Sequence, residues 1–232
     1  MQSFPSWLYA HLSRFDNNFL HHAYLISGRK GVGKSLLANR LAMQVLCHSK
    51  DAILCGECHS CKLSDLENHP DFHTLKILPE KKLIGISQIH ELRSKLYESA
   101  FLGKNKAIIL PHLEKISLDG LNAFLKILEE PPDNTYFLLV SDFLNQVPAT
   151  IQSRCIDIKI NLPDLDESLE WLDDYSKEDS IKALNLTNNL PFMAKEFLEN
   201  NYLSMRKEFI DEISGIIKEG KNITLTSEKW LK

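Results

Sequence analysis

The segment Gly28–Ser35, with the sequence G-R-K-G-V-G-K-S, matches the phosphate-binding pattern G-x-x-x-x-G-K-[ST] at every fixed position. A short apolar run, residues 24–26, precedes it, and a helical pattern of Leu37, Leu41 and Val45 follows it. Glycines let the backbone wrap closely around a polyphosphate, so that N–H groups point inward at the start of a helix. The sequence therefore predicts a strand, a phosphate-binding loop (the phosphate loop) and a helix.

Each fixed position of the phosphate loop predicts a role. The glycines shape the backbone, the lysine meets the outer phosphates, and the serine hydroxyl binds Mg²⁺. The candidate nucleotide-binding residues are Gly28, Gly31, Gly33, Lys34 and Ser35. The candidate ligands are ATP and Mg²⁺. The alternative is a glycine-rich turn that only resembles the motif.

The composition limits the classes of protein to which this chain can belong. A length of 232 residues with 44% hydrophobic residues suits one large domain and a small one. A net charge of -4 argues against a protein that coats nucleic acid by itself, because such surfaces carry a basic excess. No apolar run is long enough to span a membrane, and residues 1–24 lack the apolar segment of a signal peptide. We therefore expect a cytoplasmic protein without a membrane partner.

Three of the five cysteines form the pattern C-x-x-C-x-x-C, which is typical of a metal site in a reducing compartment. With one further cysteine from the end of the preceding helix, these thiolates can close a tetrahedral shell around zinc. The predicted ligands of a Zn²⁺ ion, in a module of about residues 47–61, are Cys47, Cys55, Cys58 and Cys61. The alternatives for the fourth ligand are His48, His59 and His69, and unligated thiols are the alternative to a metal site. A closed shell has no position for water, so we expect a structural ion.

Apolar runs and helical patterns alternate after the phosphate loop. Strands are predicted at 73–78, 107–110 and 136–140, and the helices between them begin at the capping residues Ser87 and Ser117. Strands that alternate with helices predict an α/β fold with a parallel sheet. An amphipathic helix within residues 1–22 is predicted from the spacing of Phe4, Trp7, Leu8, Leu12 and Phe15.

The predicted strand 107–110 ends without the acidic residues that hydrolysis needs. A phosphate-loop ATPase holds Mg²⁺ with an acidic residue at this place and positions the attacking water close by. This chain has Pro111 and His112 there, and Glu114 lies slightly further on. We therefore expect that the chain alone is not an active ATPase.

The composition becomes polar and helical after Pro163. Three short helical patterns and one amphipathic pattern at 205–217 follow, which suits a small helical domain. The predicted domains are residues 1–163, which bind nucleotide and include the zinc module, and residues 164–232, which are helical.

Four features together resemble the clamp-loader ATPase-type subunits of bacterial DNA polymerase III, within the AAA+ superfamily. They are the phosphate loop, the four cysteines, the segment L-N-A-F-L-K-I-L-E-E-P-P at Leu121–Pro132, and S-R-C at Ser153–Cys155. The chain resembles the delta-prime subunits more than the gamma/tau motor subunits, because the motor keeps the acidic pair where Pro111 and His112 stand here.

The resemblance implies roles for two further residues. Arg154 matches an arginine finger, which is offered in trans to ATP on a neighbouring subunit, and Ser141 matches a sensor position beside the γ-phosphate. It also implies that residues 164–232 form a lid domain. The family normally continues into a collar domain, which we expect to be absent here, either through truncation or because this member is short.

The resemblance further implies a role in DNA replication within the DNA polymerase III holoenzyme, without polymerase activity in this chain. The implied partners are the gamma/tau and delta subunits and, through the complex, the sliding clamp and primed DNA. Two other hypotheses are a self-sufficient AAA+ ATPase motor, with His112 or Glu114 replacing the missing carboxylate, and a zinc-stabilised nucleotide-binding adaptor.

Overall fold

A computed structural model describes residues 4–12, 21–49, 54–65, 68–103 and 105–219 of the chain. The chain divides into two units, Met1–Leu162 and Pro163–Lys232. The first unit contains a parallel sheet, and the described part of the second is helical.

The described strands of the first unit form one sheet in the order β2-β3-β4-β1-β5. The strands are β1 (Ala23–Ser27), β2 (Phe72–Thr74), β3 (Lys106–Leu110), β4 (Thr135–Ser141) and β5 (Ile156–Lys159). Every neighbouring pair is parallel. The carboxyl ends of β1, β3 and β4 therefore lie at the same edge of the sheet, which is where ligands bind in open α/β sheets.

Helices connect these strands and cover the sheet. The helices of the first unit are α1 (Ser6–Leu12), α2 (Lys34–Leu46), α3 (His59–Asp65), α4 (Ile86–Tyr97), α5 (Leu118–Glu129) and α6 (Ala149–Gln152). Short 3-10 helices lie at Leu113–Lys115 and Leu144–Gln146. Strands β1 and β3 are buried along their whole length, as is usual for a parallel sheet with both faces covered. The predicted α/β fold with a parallel sheet is confirmed.

One hydrophobic core of the first unit lies between the sheet and the helices α4 and α5. Phe124 of α5 packs edge-on against Phe137 of β4, with 5.7 Å between the ring centroids, and both side chains are fully buried. Helix α5 begins where the sequence predicts, because the Ser117 hydroxyl accepts a hydrogen bond from the N–H of Gly120 at 3.2 Å.

Two predicted boundaries in the first unit are wrong. Helix α4 begins at Ile86 with Gly85 as its N-cap, not with Ser87, because the Gln88 side chain accepts the N–H of Gly85 at 3.3 Å and fixes an earlier start. The strand predicted at 73–78 is the shorter β2 (Phe72–Thr74). Its partner β3 ends at Leu110, and the following proline has no N–H to extend the ladder.

The N-terminal helix α1 covers Ser6–Leu12 and packs against α2. It is part of the helix predicted within residues 1–22, and Leu8 is its fully buried residue. Phe15, which the prediction also included, lies outside the described residues.

The described part of the second unit consists of helices. They are α7 (Leu165–Trp171), α8 (Lys177–Leu186), α9 (Pro191–Glu199) and α10 (Tyr202–Glu219). Asp164 and Glu167 form a capping box at the start of α7. Trp171 packs on Phe192 of α9 with 4.4 Å between the ring centroids. Residues 220–232 of the predicted second domain lie outside the described residues.

Among the helices that the structure describes, none combines the length and the apolar character that crossing a membrane requires.

Candidate phosphate-binding and metal sites

The phosphate loop connects the carboxyl end of β1 with the start of α2. Gly33, the N-cap of α2, has φ 97°, a left-handed conformation that favours glycine. At Gly28 a side chain would collide with the sheet, because a Cβ atom there would lie 2.6 Å from the carbonyl oxygen of Ile160. On α1, the Trp7 indole donates a hydrogen bond to the carbonyl of Val32 at 3.0 Å and supports the loop from outside. Of the five predicted nucleotide-binding residues, the three glycines thus precede the helix, and Lys34 and Ser35 are its first two residues.

The Lys34 ammonium contacts three oxygen atoms of its own chain. It donates to the carbonyls of Gly28 at 2.8 Å and Arg29 at 2.7 Å, and it pairs with Asp142 Oδ1 at 2.6 Å. A lysine ammonium has three N–H donors, and each of these contacts takes one. A phosphate group can therefore reach Lys34 most directly by replacing Asp142.

Asp142 is a site residue that sequence reasoning missed. It directly follows β4, and β4 pairs with β1 in the register that puts Ser141 opposite Ser27. Asp142 therefore lies beside the phosphate loop. The sequence did show that Asp142 immediately follows an apolar strand, which is a common place for a site residue in a parallel sheet. It could not show which strand lies next to β4, because tertiary structure decides the order of strands in the sheet.

Ser141, the predicted sensor residue, ends β4 and is fully buried. Its hydroxyl oxygen accepts a hydrogen bond from the N–H of Phe143 at 3.1 Å. The Ser141 hydroxyl therefore stabilises the turn that leads from β4 to the 3-10 helix Leu144–Gln146.

Ser35 is exposed at the start of α2 and lines a cavity of about 580 Å³. Pro111, which follows β3, lines the same cavity. In this position a proline offers no ligand for Mg²⁺. His112 and Glu114, the next candidates along the chain, instead lie together with Asp142.

The four predicted cysteine ligands form a cluster (the cysteine cluster), in which the sulfur atoms lie within 4.8 Å of one another. The Sγ atoms of Cys47 and Cys55 are 3.5 Å apart, and those of Cys55 and Cys61 are 3.8 Å apart. Tetrahedral sulfur ligands about 2.3 Å from a zinc ion would be about 3.8 Å apart. The sulfur positions therefore fit a metal ion and are too far apart for disulfides.

Backbone N–H groups surround the cysteine cluster and favour thiolates. The N–H groups of Cys58 and Glu57 lower the pKa of the Cys55 thiol to about 6. Burial instead raises the pKa of Cys61. A bound cation would stabilise all four thiolates, since a coordinating thiol is deprotonated.

Among the described residues, the histidines that were alternatives for the fourth ligand, His48, His59 and His69, are not part of the group that the four cysteine sulfur atoms form. His69 has both ring nitrogens in use. Its Nδ1 accepts the N–H of Asp71 at 3.1 Å, and its Nε2 lies 2.6 Å from Ser60 Oγ, which donates to the carbonyl of Leu46. Burial lowers the pKa of His69, which fits a neutral ring in this network.

Arg154 lies between α6 and β5, at the amino end of the strand. Its Nη2 donates to Glu129 Oε1 at 2.7 Å, and its Nη1 donates to the carbonyl of Thr150 at 2.7 Å. The side chain remains 33% exposed. Glu129, the last residue of α5, therefore connects the two family segments Leu121–Pro132 and Ser153–Cys155, a contact that sequence reasoning missed.

The fold also occurs among solved structures. A RuvB mutant from Thermotoga maritima aligns with a TM-score of 0.51 and 15% sequence identity, over 86% of this chain and 60% of that one. At this identity the likeness concerns the fold alone. The protein belongs to the class of α/β proteins that carry a phosphate loop after the first strand of a parallel sheet.

Sequence comparisons give the family within this class. A family model described as DNA polymerase III, delta subunit, matches residues 8–164. DNA polymerase III subunit delta' of Buchnera aphidicola subsp. Schizaphis graminum is 36% identical over 88% of this chain, and that of Pseudomonas aeruginosa is 31% identical over 97%. The chain belongs to the family of DNA polymerase III delta-prime subunits. It spans 62% of the length of the Buchnera relative and 70% of the Pseudomonas relative.

The Lys34–Asp142 contact predicts the effect of a substitution on nucleotide affinity. We expect Asp142→Asn to tighten binding of ATP and Mg²⁺ by about tenfold, because it removes the charged competitor for Lys34 and a negative charge beside the phosphates. Calorimetry on the full chain measures this change. Asp133→Asn, at an exposed carboxylate before β4, is the matched control and should bind as the wild type does. Unchanged or weaker binding by Asp142→Asn would contradict the competition.

Proposed function

We propose that this chain is a clamp-loader subunit that donates Arg154 in trans to ATP on a neighbouring gamma/tau motor subunit. The observation that carries the proposal is the position of Arg154 just before the amino end of β5. The phosphate loop follows the carboxyl end of β1, whereas Arg154 precedes the amino end of the adjacent parallel strand β5. The length of β5 alone, about 13 Å for four residues, separates Arg154 from the level of its own phosphate loop. Arg154 is therefore suited to a phosphate on another molecule.

The contacts of Arg154 support this role. The guanidinium is oriented by Glu129 and by the carbonyl of Thr150, and it still has donors that make no contact with these two groups. A planar, permanently charged group suits the charge that develops on a transferred phosphoryl group. Its partial exposure lets an adjoining subunit approach it.

The phosphate loop of the same chain has features that oppose hydrolysis. Lys34 is paired with Asp142, and Pro111 stands at the end of β3 where a carboxylate would hold Mg²⁺. We therefore propose that the chain acts as a stator, with its helical second unit as the lid domain.

The proposed partners are those of the loader: the gamma/tau and delta subunits, and through them the sliding clamp and primed DNA. Family membership supports the clamp-loader assignment.

The alternative is a self-sufficient ATPase motor. Its supporting observation is Glu114, whose carboxylate lies with that of Asp142 beside the phosphate loop. ATP turnover without a neighbouring subunit would distinguish the motor from the stator.

We also propose that the cysteine cluster binds one structural Zn²⁺ ion. All four positions of a tetrahedral shell would be taken by sulfur, so the ion would fix the segment around α3 and would activate no water. N–H···S contacts at 3.4 Å from Ser49, Cys58 and Cys61 would orient these ligands.

The arginine-finger proposal predicts a large loss of ATP hydrolysis. The assay uses a reconstituted loader with clamp and primed DNA, whose motor subunits lack their own arginine fingers, so that only the site served by Arg154 is measured. We expect Arg154→Ala to reduce the rate at this site on the order of 10³-fold or more. Arg154→Lys should restore little of the rate, because lysine lacks the planar fork.

The matched control for this assay is Arg93→Ala, at an exposed arginine on α4. It should leave the rate unchanged. Because the Arg154–Glu129 pair is partly exposed, Arg154→Ala should change the free energy of unfolding by less than about 1 kcal/mol. A normal rate with Arg154→Ala in an assembled loader would refute the proposed role.

The zinc proposal predicts one Zn²⁺ per chain by elemental analysis. The Cys58→Ser chain should not bind the ion. When the free zinc concentration is 100-fold above the Kd of the wild type, this loss should lower the free energy of unfolding by about 2.7 kcal/mol. Cys155→Ser is the matched control. Cys155 lies outside the cluster, burial raises the pKa of its thiol to about 12, and its loss should leave the zinc content unchanged. Equal zinc content in the Cys58→Ser and wild-type chains would contradict the site.

A further inference from the structure

A second group of metal-ligating side chains lies at the carboxyl edge of the sheet. The ligand atoms of His112, Glu114 and Asp142 lie within 4.8 Å of one another. His112 and Glu114 follow β3, and Asp142 follows the neighbouring parallel strand β4. Strand pairing thus brings the carboxylate of Asp142 to His112 and Glu114, from which Asp142 is distant in sequence. We name this group the His112 site.

Glu114 supplies an independent observation that points to a ligand. Its side chain is only 8% exposed, and its Oε2 atom is buried without a hydrogen-bond partner in the described part of the chain. The other carboxylate oxygen is 3.8 Å from His112 Nδ1, which is beyond hydrogen-bond distance. A buried carboxylate oxygen without a partner is costly, and a cation at the His112 site would compensate it.

We propose that the His112 site binds one divalent first-row transition-metal ion directly. Imidazole nitrogen with carboxylate oxygens suits ions such as Mn²⁺, Fe²⁺ or Zn²⁺, whereas Mg²⁺ prefers oxygen ligands alone. The His112 side chain is 52% exposed, so an ion can enter from solvent and keep water ligands. The ion would bind to the protein without nucleotide and independently of the arginine finger.

The metal ion would compete with Lys34 for Asp142. The Lys34 ammonium lies 2.6 Å from Asp142 Oδ1, so it already compensates part of the negative charge at the site. Removing this cation should strengthen metal binding, and a bound metal should weaken the contact between Lys34 and Asp142. The two effects are reciprocal, as linked binding requires.

The test uses Mn²⁺ alone, added to the full chain without nucleotide after dialysis against metal-free buffer. Bound Mn²⁺ is counted from the loss of the electron paramagnetic resonance signal of the free ion. Mn²⁺ is chosen because it prefers oxygen ligands and competes poorly for the cysteine cluster. We expect one Mn²⁺ per chain.

The variants separate the His112 site from nonspecific binding. His112→Ala should weaken Mn²⁺ binding at least tenfold, Glu114→Gln should do the same, and Lys34→Met should tighten it about tenfold. The matched control is His90→Ala, at an exposed histidine on α4, which should bind as the wild type does. Because His112 is exposed, its replacement should leave the fold intact.

No saturable Mn²⁺ binding by the wild type would overturn the proposal. Equal affinity in the wild-type and His112→Ala chains would also overturn it. Mn²⁺ binding is measured on this chain without a neighbouring subunit. A negative result would therefore not affect the proposed role of Arg154.

Discussion

The Lys34 ammonium connects the phosphate loop, which follows β1, to the residue that follows β4, and the candidate site depends on this connection. Two of its contacts fix the start of the phosphate loop, and the third ties that loop to Asp142 at the end of β4. The pair forms because β1 and β4 are parallel neighbours with Ser27 opposite Ser141. The lysine of the phosphate-binding pattern is therefore already compensated by a carboxylate of the same chain.

The direction of the strands also separates two kinds of chemistry. The phosphate loop follows β1, and residues after β3 and β4 lie at the same edge of the sheet, whereas Arg154 lies before β5 at the opposite edge. Hydrolysis needs a positioned water, a held Mg²⁺ ion and a cation at the transferred phosphate. At the edge with the phosphate loop, Pro111 offers no ligand for Mg²⁺. At the opposite edge, Glu129 and the carbonyl of Thr150 position the guanidinium of Arg154. This division suits a subunit that serves a nucleotide on its neighbour.

Local patterns predicted much of this fold, and long-range pairing produced the rest. The phosphate loop, the Ser117 cap and the spacing of Cys55, Cys58 and Cys61 depend on residues close in sequence, and the structure brings each set together. The Lys34–Asp142 and Arg154–Glu129 contacts join residues far apart in sequence, so no local pattern could show them. The cap predicted at Ser87 was wrong because adjacent residues competed for one helix start, and the Gln88 side chain favoured Gly85.

The most direct measurement is steady-state ATP hydrolysis by the isolated full chain with Mg²⁺, compared with Lys34→Ala. If Lys34 is held by Asp142 and no carboxylate at the end of β3 activates water, turnover by the wild type should be no faster than turnover by Lys34→Ala. Wild-type turnover well above that of Lys34→Ala would show that the chain hydrolyses ATP with its own phosphate loop, and would contradict the proposed stator.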